Sequence, residues 1–294
     1  SDPTSQGMQL AAQHQVELAP FFIVKDERGE HVHTSTLKLV RELSPSPEGN
    51  NSAATPVAGN APINPEQIES ELSGQTPQHI LRWGLERFGA DLAIAFSGAE
   101  DVAVIDMAAK IGLPFAVFSL DTGRLHPETL QFIERVRKHY GIEIQLISPQ
   151  PALLEPFVRK KGLFSFYEDG HTECCSIRKV EPLGRALAPY RAWATGQRRD
   201  QNPSTRAQVA VVQADPLKLE RIKLNPLANW TLAQTWDYLK DNDVPYNTLH
   251  DRGFVSIGCE PCTRAPRPGE HERAGRWWWE EETKRECGLH IAKG

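Results

Sequence analysis

The sequence has few of the features that mark membrane, secreted or nucleic-acid-binding proteins. Its apolar stretches, such as residues 111–120, reach about ten residues, short of the roughly 18 that a spanning helix needs. Five cysteines in 294 residues are too few for a disulfide scaffold. Lys and Arg total 33 against 38 Asp and Glu, so there is no excess positive charge to hold a polynucleotide. The first residues lack the basic start and apolar run of a signal peptide. We therefore expect a cytoplasmic protein with no membrane or nucleic-acid partner.

The N-terminal quarter of the sequence predicts little ordered structure. Residues 44–65 contain five prolines with Ser, Asn, Gly and Ala, a composition that is typical of a linker. The sequence therefore predicts a poorly structured extension and linker over residues 1–75. An α/β domain is predicted over 76–250, and an irregular tail over 251–294.

Short apolar segments alternate with candidate helices from residue 76 onward. Strands are predicted at 92–96, 114–120, 142–147, 192–195 and 209–212, and helices at 77–88, 100–111, 127–140 and 231–242. Strands separated by helices imply right-handed crossovers, so we expect an open, mostly parallel sheet with helices on both faces. Ligands of such sheets bind beyond the carboxyl ends of the strands, which here lead into residues 97–101, 121–126 and 196–206.

A Ser-Gly pair, Ser97 and Gly98, directly follows the first predicted strand of this domain. Free backbone N–H groups and the helix dipole attract an anion at such a position. A tight turn with Asp101 in the first turn of the helix explains the same segment equally well. The dinucleotide-binding pattern GxGxxG and the P-loop pattern GxxxxGKS/T are both missing from the sequence, which disfavours those two classes.

Four of the five cysteines occur as two pairs. Cys174 and Cys175 are adjacent, and Cys259 and Cys262 form a CxxC motif. Four thiolates satisfy either zinc or an iron–sulfur cluster, and the spacing does not choose between them, although an adjacent pair is unusual for tetrahedral zinc. Ordinary buried thiols remain the alternative for Cys174 and Cys175.

The fifth cysteine, Cys287, has cationic side chains on both sides in the segment KRECGLH. Such surroundings lower a thiol pKa and raise its thiolate fraction, which makes Cys287 a candidate nucleophile. The alternative is an incidental thiol near the end of the chain.

Several segments together resemble the sulfonucleotide reductases, which act on adenylyl sulfate or its 3'-phosphorylated form. Residues 97–101 (SGAED) are similar to the SGGxDS pyrophosphate loop of the adenine nucleotide alpha-hydrolase-like superfamily, and residues 120–129 strengthen the likeness. Ala99 and Val102 replace a glycine and a serine of that loop, which disfavours an ATP-cleaving ligase. Residues 173–183, 256–263 and 286–290 (ECGLH) look like segments of the assimilatory adenylyl-sulfate reductases. The resemblance runs from about residue 90 to 290.

This resemblance implies specific roles for individual residues. One 4Fe-4S cluster per chain is bound by Cys174, Cys175, Cys259 and Cys262. Lys179 links the cluster with the substrate, and Cys287 attacks the substrate. The expected substrate-binding residues are Ser97, Gly98, Leu120, Asp121, Thr122, Lys179, Gly196, Arg206, Arg273 and Arg276. Arg198 and Arg199 also lie in a segment suited to the substrate, and an ordinary surface position is the alternative for them. Trp277 to Trp279 are interpreted as packing residues, and His171 and His290 receive no role.

The implied function is reduction of adenylyl sulfate to sulfite and AMP in sulfate assimilation, through an S-sulfocysteine on Cys287. If four cysteines hold the cluster, the chain has no further cysteine to resolve this intermediate, so thioredoxin or a glutaredoxin is the expected reductant. The nearest alternative is the same reaction on the 3'-phosphorylated substrate. A zinc-stapled adenine nucleotide-binding module without catalysis is the alternative from another class. The sequence leaves a homo-oligomer open.

Overall fold

The computed structural model describes residues 22–26, 29–33, 64–202, 205–281 and 286. The chain divides into two units, residues 1–59 and 60–294. In the first unit, strands β1 (Phe22–Asp26) and β2 (Gly29–His33) form an antiparallel two-stranded sheet. Every predicted site residue that the structure describes belongs to the second unit.

A six-stranded sheet forms the centre of the second unit. Its strands are β3 (Leu92–Ala95), β4 (Ala116–Leu120), β5 (Gln145–Ile147), β6 (Ala192–Ala194), β7 (Val212–Asp215) and β8 (Lys218–Leu224). Their order is β5-β4-β3-β6-β8-β7, and all neighbours are parallel except β7 and β8. The expectation of an open, mostly parallel α/β sheet is confirmed.

The helices of the second unit precede, connect or follow these strands. They are α1 (Pro65–Leu72), α2 (Pro77–Phe88), α3 (Ala99–Ile111), α4 (Pro127–Tyr140), α5 (Pro151–Lys161), α6 (Thr172–Cys175), α7 (Glu181–Leu187) and α8 (Leu232–Asp241). A π-helical turn, Ser176–Val180, joins α6 to α7. None of the described helices is long and apolar enough to span a membrane.

Apolar layers cover both faces of the sheet, because successive strand residues point to opposite sides. On one face, Ile94 and Val117 pack with apolar residues of α2, α3 and α4. On the other face, Phe118 and Trp193 pack with Leu183 of α7. The carboxyl ends of the central strands are therefore held between two packed layers, which fixes the loops that follow them.

Helices α2 and α4 have the bounds that the sequence predicts. Each begins with a proline at its first position, Pro77 or Pro127, where the missing N–H has no helical partner to lose. Each is followed by a glycine with positive φ, Gly89 or Gly141, which ends the helix.

Other elements differ from the predicted ones. Helix α1 lies within the segment that the sequence assigns to the extension, and its Leu72 is buried in the core. Glu69 of this helix accepts a 2.6 Å hydrogen bond from the Val212 N–H at the start of β7. Strand β8 was missed because exposed charged residues, such as Lys218 and Glu220, occupy its first half. Ordered structure thus begins before residue 76, while the proposed division into three parts remains a prediction.

Candidate active site

A cavity of about 200 Å³ opens at the carboxyl ends of strands β3, β4 and β6. The loops that follow these strands supply much of its lining, as the parallel topology predicts. Residues from later in the chain, including Ser256 and Trp277, complete the lining. Nine of the predicted substrate-binding residues line this cavity, namely Ser97, Gly98, Leu120, Thr122, Lys179, Gly196, Arg206, Arg273 and Arg276.

Asp121 is the predicted substrate-binding residue that does not line the cavity. Its Oδ1 accepts a 2.9 Å hydrogen bond from the Gly123 N–H, and Gly123 has a φ of 68°. This is the local bond by which an aspartate stabilises a turn. Asp121 therefore supports the turn after β4, and its neighbours Leu120 and Thr122 reach the cavity.

The backbone donors of Ser97 and Gly98 are bonded to the carboxylate of Asp101. Oδ2 of Asp101 accepts from Ser97 N at 2.8 Å, from Ser97 Oγ at 2.8 Å and from Gly98 N at 3.0 Å. Asp101 is the third residue of α3, and a carboxylate there satisfies N–H groups that have no helical acceptor. In this structure these N–H groups donate to Asp101, as in the alternative of a tight turn, and the role of Ser97 and Gly98 in binding a ligand anion stays a prediction.

Gly196 brings the loop after β6 against the start of α3. Its N–H donates to Oδ1 of Asp101 at 2.7 Å. A Cβ at this position would lie 2.5 Å from the backbone carbonyl carbon of Glu100 and 2.7 Å from the Asp101 nitrogen, so the approach requires glycine. Burial raises the pKa of Asp101, and the donors of Ser97 and Gly196 oppose that shift. Asp101 thus joins two of the predicted site loops.

Four cationic side chains, here called the arginine wall, line another part of the cavity: Lys179, Arg206, Arg273 and Arg276. Each is buried, with an exposed fraction of 6–7%. Buried cations need a nearby negative charge, because desolvation alone disfavours them. A partial counter-charge comes from Glu286, whose Oε1 lies 2.6 Å from Arg206 Nη2 and 3.4 Å from Arg273 Nη2. The structure therefore brings together the four cations that the sequence places in three separate segments.

The four paired cysteines lie in one buried apolar cluster with Trp277, and no disulfide joins them. Helix α6 carries Cys174 and Cys175 into the cluster. An antiparallel bridge between Leu125 and Cys259 brings the CxxC segment beside them. The Thr122 hydroxyl lies 3.2 Å from Cys259 Sγ, and both residues also line the cavity. The cysteine cluster therefore borders the cavity.

Charges near the cluster act on its thiols in opposite directions. Burial acts to raise the pKa of Cys259, but Lys179, the Thr122 hydroxyl and Arg276 outweigh it and hold the pKa below that of an ordinary thiol. Burial and the neighbouring Cys259 raise the pKa of Cys262 to about 12. Cationic groups thus favour at least one thiolate beside the cavity.

Buried N–H groups around the thiols lack hydrogen-bond partners among the described residues. These donors are Arg124 Nη1, Arg178 Nε, Arg276 Nε and Trp277 Nε1. Buried donors usually have partners, so orphaned donors beside thiols suit an anionic group that accepts hydrogen bonds at sulfur. The described His, Cys, Asp and Glu side chains form no group of three that could hold a metal ion as they stand. The chemistry of these residues therefore fits an iron–sulfur group, while their arrangement is not an assembled single-ion site.

A scan against protein families matches residues 91–265 to the phosphoadenosine phosphosulfate reductase domain. Adenosine 5'-phosphosulfate reductase of Pseudomonas aeruginosa strain LESB58 is 56% identical over 254 residues, which cover 84% of this chain and 95% of that protein. The chain belongs to the phosphoadenosine phosphosulfate reductase family. Among plant relatives, the chloroplastic 5'-adenylylsulfate reductase 3 of Arabidopsis thaliana is 55% identical over 232 residues, which cover 76% of this chain and 51% of the plant protein.

A solved structure of the same family supports the fold. The phosphoadenylyl-sulfate reductase of Candida auris, crystallised as a phosphate complex, superposes with a TM-score of 0.59 and 29% sequence identity. The match covers 70% of this chain and the whole of the yeast chain. The sheet and its loops thus have the family's architecture.

Sequence reasoning missed two buried charged residues of this family member: Glu286, which lines the cavity, and Arg198, whose partners Glu100 and Glu272 line it. Arg198, for which the sequence left a surface position open, is fully buried and lies 3.0 Å from Glu100 Oε1 and 3.2 Å from Glu272 Oε2. Burial raises the pKa of Glu272 to about 7, against the attraction of Arg198. In the sequence, Glu286 stands out only as the first residue of the ECGLH segment. No local pattern marks the pairing of Arg198 with Glu272 or Glu100, which lie 74 and 98 residues away, or of Glu286 with Arg206, 80 residues away.

Trp277 and His171 form a packed pair beside the cysteine cluster. The two rings stack with their centroids 4.3 Å apart, and Trp277 is 1% exposed. The packing interpretation of Trp277 agrees with this burial, although the ring also lines the cavity. His171 Nδ1 lies 2.7 Å from Glu280 Oε2, and Nε2 lies 3.1 Å from the Glu286 carbonyl oxygen. His171 therefore contacts both Glu280 and Glu286 and has a structural role.

Cys287 and His290 lie outside the described residues, so the assignment of Cys287 as the nucleophile stays a prediction. Glu286 is the described residue next to it in sequence, and it lines the cavity.

Proposed function

We propose that this protein reduces adenylyl sulfate to sulfite and AMP. The observation that carries the proposal is the arginine wall beside a cluster of four buried cysteines, in a chain that is 56% identical to a relative named adenosine 5'-phosphosulfate reductase. Guanidinium groups suit phosphate and sulfate oxygens because they donate in a planar, bidentate fork. The cavity thus offers cations for the anionic end of a sulfonucleotide.

The proposed chemistry begins at Cys287. Its thiolate attacks the sulfate sulfur, the bond from that sulfur to the bridging phosphate oxygen breaks, and AMP leaves with the electron pair. The enzyme then carries S-sulfocysteine. A thiolate of a second protein attacks the Cys287 sulfur, which releases sulfite and forms a mixed disulfide, and a second thiol of that protein restores Cys287. A dithiol protein such as thioredoxin or a glutaredoxin supplies these two electrons.

We assign Arg206, Arg273 and Arg276 to the phosphosulfate group. Lys179 stands between this group and the thiols, because it lines the cavity and also acts electrostatically on Cys259. Backbone groups of Leu120 and Gly196 are assigned to the nucleotide, and they line the cavity together with Ser97, Gly98 and Thr122. Asp121 contributes through the turn that presents Leu120 and Thr122.

Cys174, Cys175, Cys259 and Cys262 would hold one 4Fe-4S cluster. Cysteine thiolates are the usual ligands of such a cluster, and these four would complete its binding. This fits four thiols that share one buried cluster without forming a single-ion site. When bound, the cluster would supply a fixed charge beside the arginine wall.

Steady-state assays of the anaerobically purified protein test the reaction. With thioredoxin as reductant, we expect sulfite release from adenylyl sulfate, and no measurable release by Cys287→Ser. A higher kcat/KM for the 3'-phosphorylated nucleotide would reassign the substrate. Turnover by Cys287→Ser at the wild-type rate would overturn the role of Cys287.

Metal analysis tests the cluster independently of activity. We expect four irons and four acid-labile sulfides per chain from the assigned cofactor, with visible charge-transfer absorption. Cys175→Ser and Cys262→Ser should each lose iron. One zinc ion without sulfide would instead support a zinc-stapled nucleotide-binding module.

A further inference from the structure

The carboxylate of Glu286 occupies the arginines that the proposed function assigns to the substrate. Arg206 donates to it through two nitrogens, with Nη2 2.6 Å from Oε1 and Nε 3.2 Å from Oε2. Arg273 Nη2 lies 3.4 Å from both carboxylate oxygens, and Thr205 Oγ1 donates to Oε2 at 3.2 Å. Glu286 is 8% exposed. Its carboxylate is therefore a buried, multiply bonded anion at the cavity.

The Nε–Nη2 fork of Arg206 is occupied by Glu286 in this state. Its Nε and Nη2 donate to Glu286, and its Nη1 donates to Gln201 Oε1. A guanidinium group binds an oxyanion strongly when two parallel N–H groups donate to it. A substrate anion can take the Nε–Nη2 fork of Arg206 only where Glu286 gives it up.

The charges of Glu286 and of the substrate also favour displacement of the carboxylate. Adenylyl sulfate carries a negative charge on its phosphate and another on its sulfate. Beside the arginine wall, the Glu286 carboxylate would repel these two charges and compete with them for Arg206 and Arg273. With the carboxylate displaced, the two negative groups of the ligand would face the cations of the wall without that repulsion, which lowers the cost of burying the ligand.

We propose that Glu286 is an internal competitor for the substrate's anion-binding arginines. Its carboxylate satisfies Arg206 and Arg273 until a sulfonucleotide takes its place. The backbone of Glu286 has a separate anchor, because His171 Nε2 lies 3.1 Å from its carbonyl oxygen. Substrate binding therefore replaces only the side-chain contacts of Glu286. The next residue in sequence is Cys287, the proposed nucleophile. This inference rests on the proposed function in assigning Arg206 and Arg273 to a sulfonucleotide.

Calorimetric titration with AMP and with adenosine tests the competition in the full-length, anaerobically purified protein. Both ligands share the nucleoside, and only AMP brings a phosphate that can replace the carboxylate. The test variant is Glu286→Gln, which keeps the shape but not the charge. Glu270→Gln is the matched control, because it removes a carboxylate that pairs with Arg264 away from the cavity lining. Glu286→Asp retains the charge.

We expect Glu286→Gln to bind AMP at least about tenfold more tightly than wild type, since a charge-assisted competitor is removed. Adenosine affinity should stay unchanged, and Glu270→Gln should bind AMP like wild type. Glu286→Asp keeps the charge on a side chain one methylene shorter, so its AMP affinity should lie between wild type and Glu286→Gln. Unchanged or weaker AMP binding by a folded Glu286→Gln protein would overturn the proposal. So would a failure of both proteins to bind AMP. Because no turnover is involved, an inactive enzyme would defeat the proposed function without changing this result.

Discussion

The loop of residues 97–101 and the arginine wall line the same cavity, and both present N–H donors. The carboxylate of Asp101, in the loop, accepts hydrogen bonds from the N–H groups of Ser97, Gly98 and Gly196. In the arginine wall, the carboxylate that contacts Arg206 and Arg273 comes from Glu286, near the end of the chain. An acceptor within the first helical turn is fixed by local geometry, whereas a remote acceptor can be exchanged. We therefore assign anion binding to the arginine wall and a structural role to the loop.

Removing the fork of Arg206 should produce the largest effect. We expect Arg206→Gln to lower kcat/KM for adenylyl sulfate at least about thirtyfold, because loss of one partner of a buried charge pair costs about 2–5 kcal/mol. Arg206→Lys should lie between this variant and wild type, because lysine keeps the charge but loses the planar fork. Steady-state kinetics measures both variants. Arg252→Gln, at an exposed ion pair with Glu128, is the control. Full activity in Arg206→Gln would contradict the assignment of Arg206 to substrate binding.

Asp101→Asn should mainly affect stability. The amide keeps one acceptor oxygen and turns an NH₂ group toward donors of the loop, which leaves buried donors unsatisfied. We expect the free energy of unfolding to fall by about 2–3 kcal/mol in urea titrations. The exposed Asp91→Asn is a matched control with no expected change. Unchanged stability in Asp101→Asn would contradict the structural role of the loop.

Glu272 provides a pH-dependent test of the buried charges around Arg198. Because its folded-state pKa is raised to about 7, folding takes up a proton at this site. Its contribution to stability is therefore complete below the ordinary glutamate pKa of about 4.3 and is lost as the pH rises to about 7. Glu272→Gln should remove this decline from the unfolding free energy measured between those pH values. A parallel pH profile in the two proteins would contradict the shift.

Ser97→Ala should give the smallest effect. Only the hydroxyl bond to Asp101 is lost, so we expect about 1 kcal/mol of destabilisation and a KM for adenylyl sulfate within about twofold of wild type. Thermal unfolding and steady-state kinetics measure the two quantities. A KM raised tenfold in a stable Ser97→Ala protein would indicate that Ser97 contacts the substrate, against a purely structural role of the loop.

Local signals in the sequence predicted much of the fold. Proline and glycine at the ends of α2 and α4 gave the bounds of both helices, and the alternation of strands and helices gave the parallel sheet. These local signals do not show which acceptor each hydrogen-bond donor of the site contacts. Whether Ser97 holds a ligand or Asp101 depends on a side-chain orientation, and the burial of Arg198 depends on how distant segments pack.

The sequence predicted which residues form the candidate site better than it predicted the contacts among them. Two cysteine pairs and several arginines stand out as motifs, and the structure brings the thiols together and places the arginines around the cavity. The contact of Glu286 with Arg206 spans 80 residues, so neither residue carries a local mark of it. Tertiary packing, rather than spacing, selects that pair.

One measurement tests the central claim most directly. The full-length protein is incubated under anaerobic conditions with sulfur-labelled adenylyl sulfate, without reductant, and its peptides are mapped by mass spectrometry. We predict one sulfonate on Cys287, no label on the other four cysteines, and release of labelled sulfite when thioredoxin is added. Bound nucleotide with an unmodified Cys287, in protein that retains its metal centre, would contradict the account.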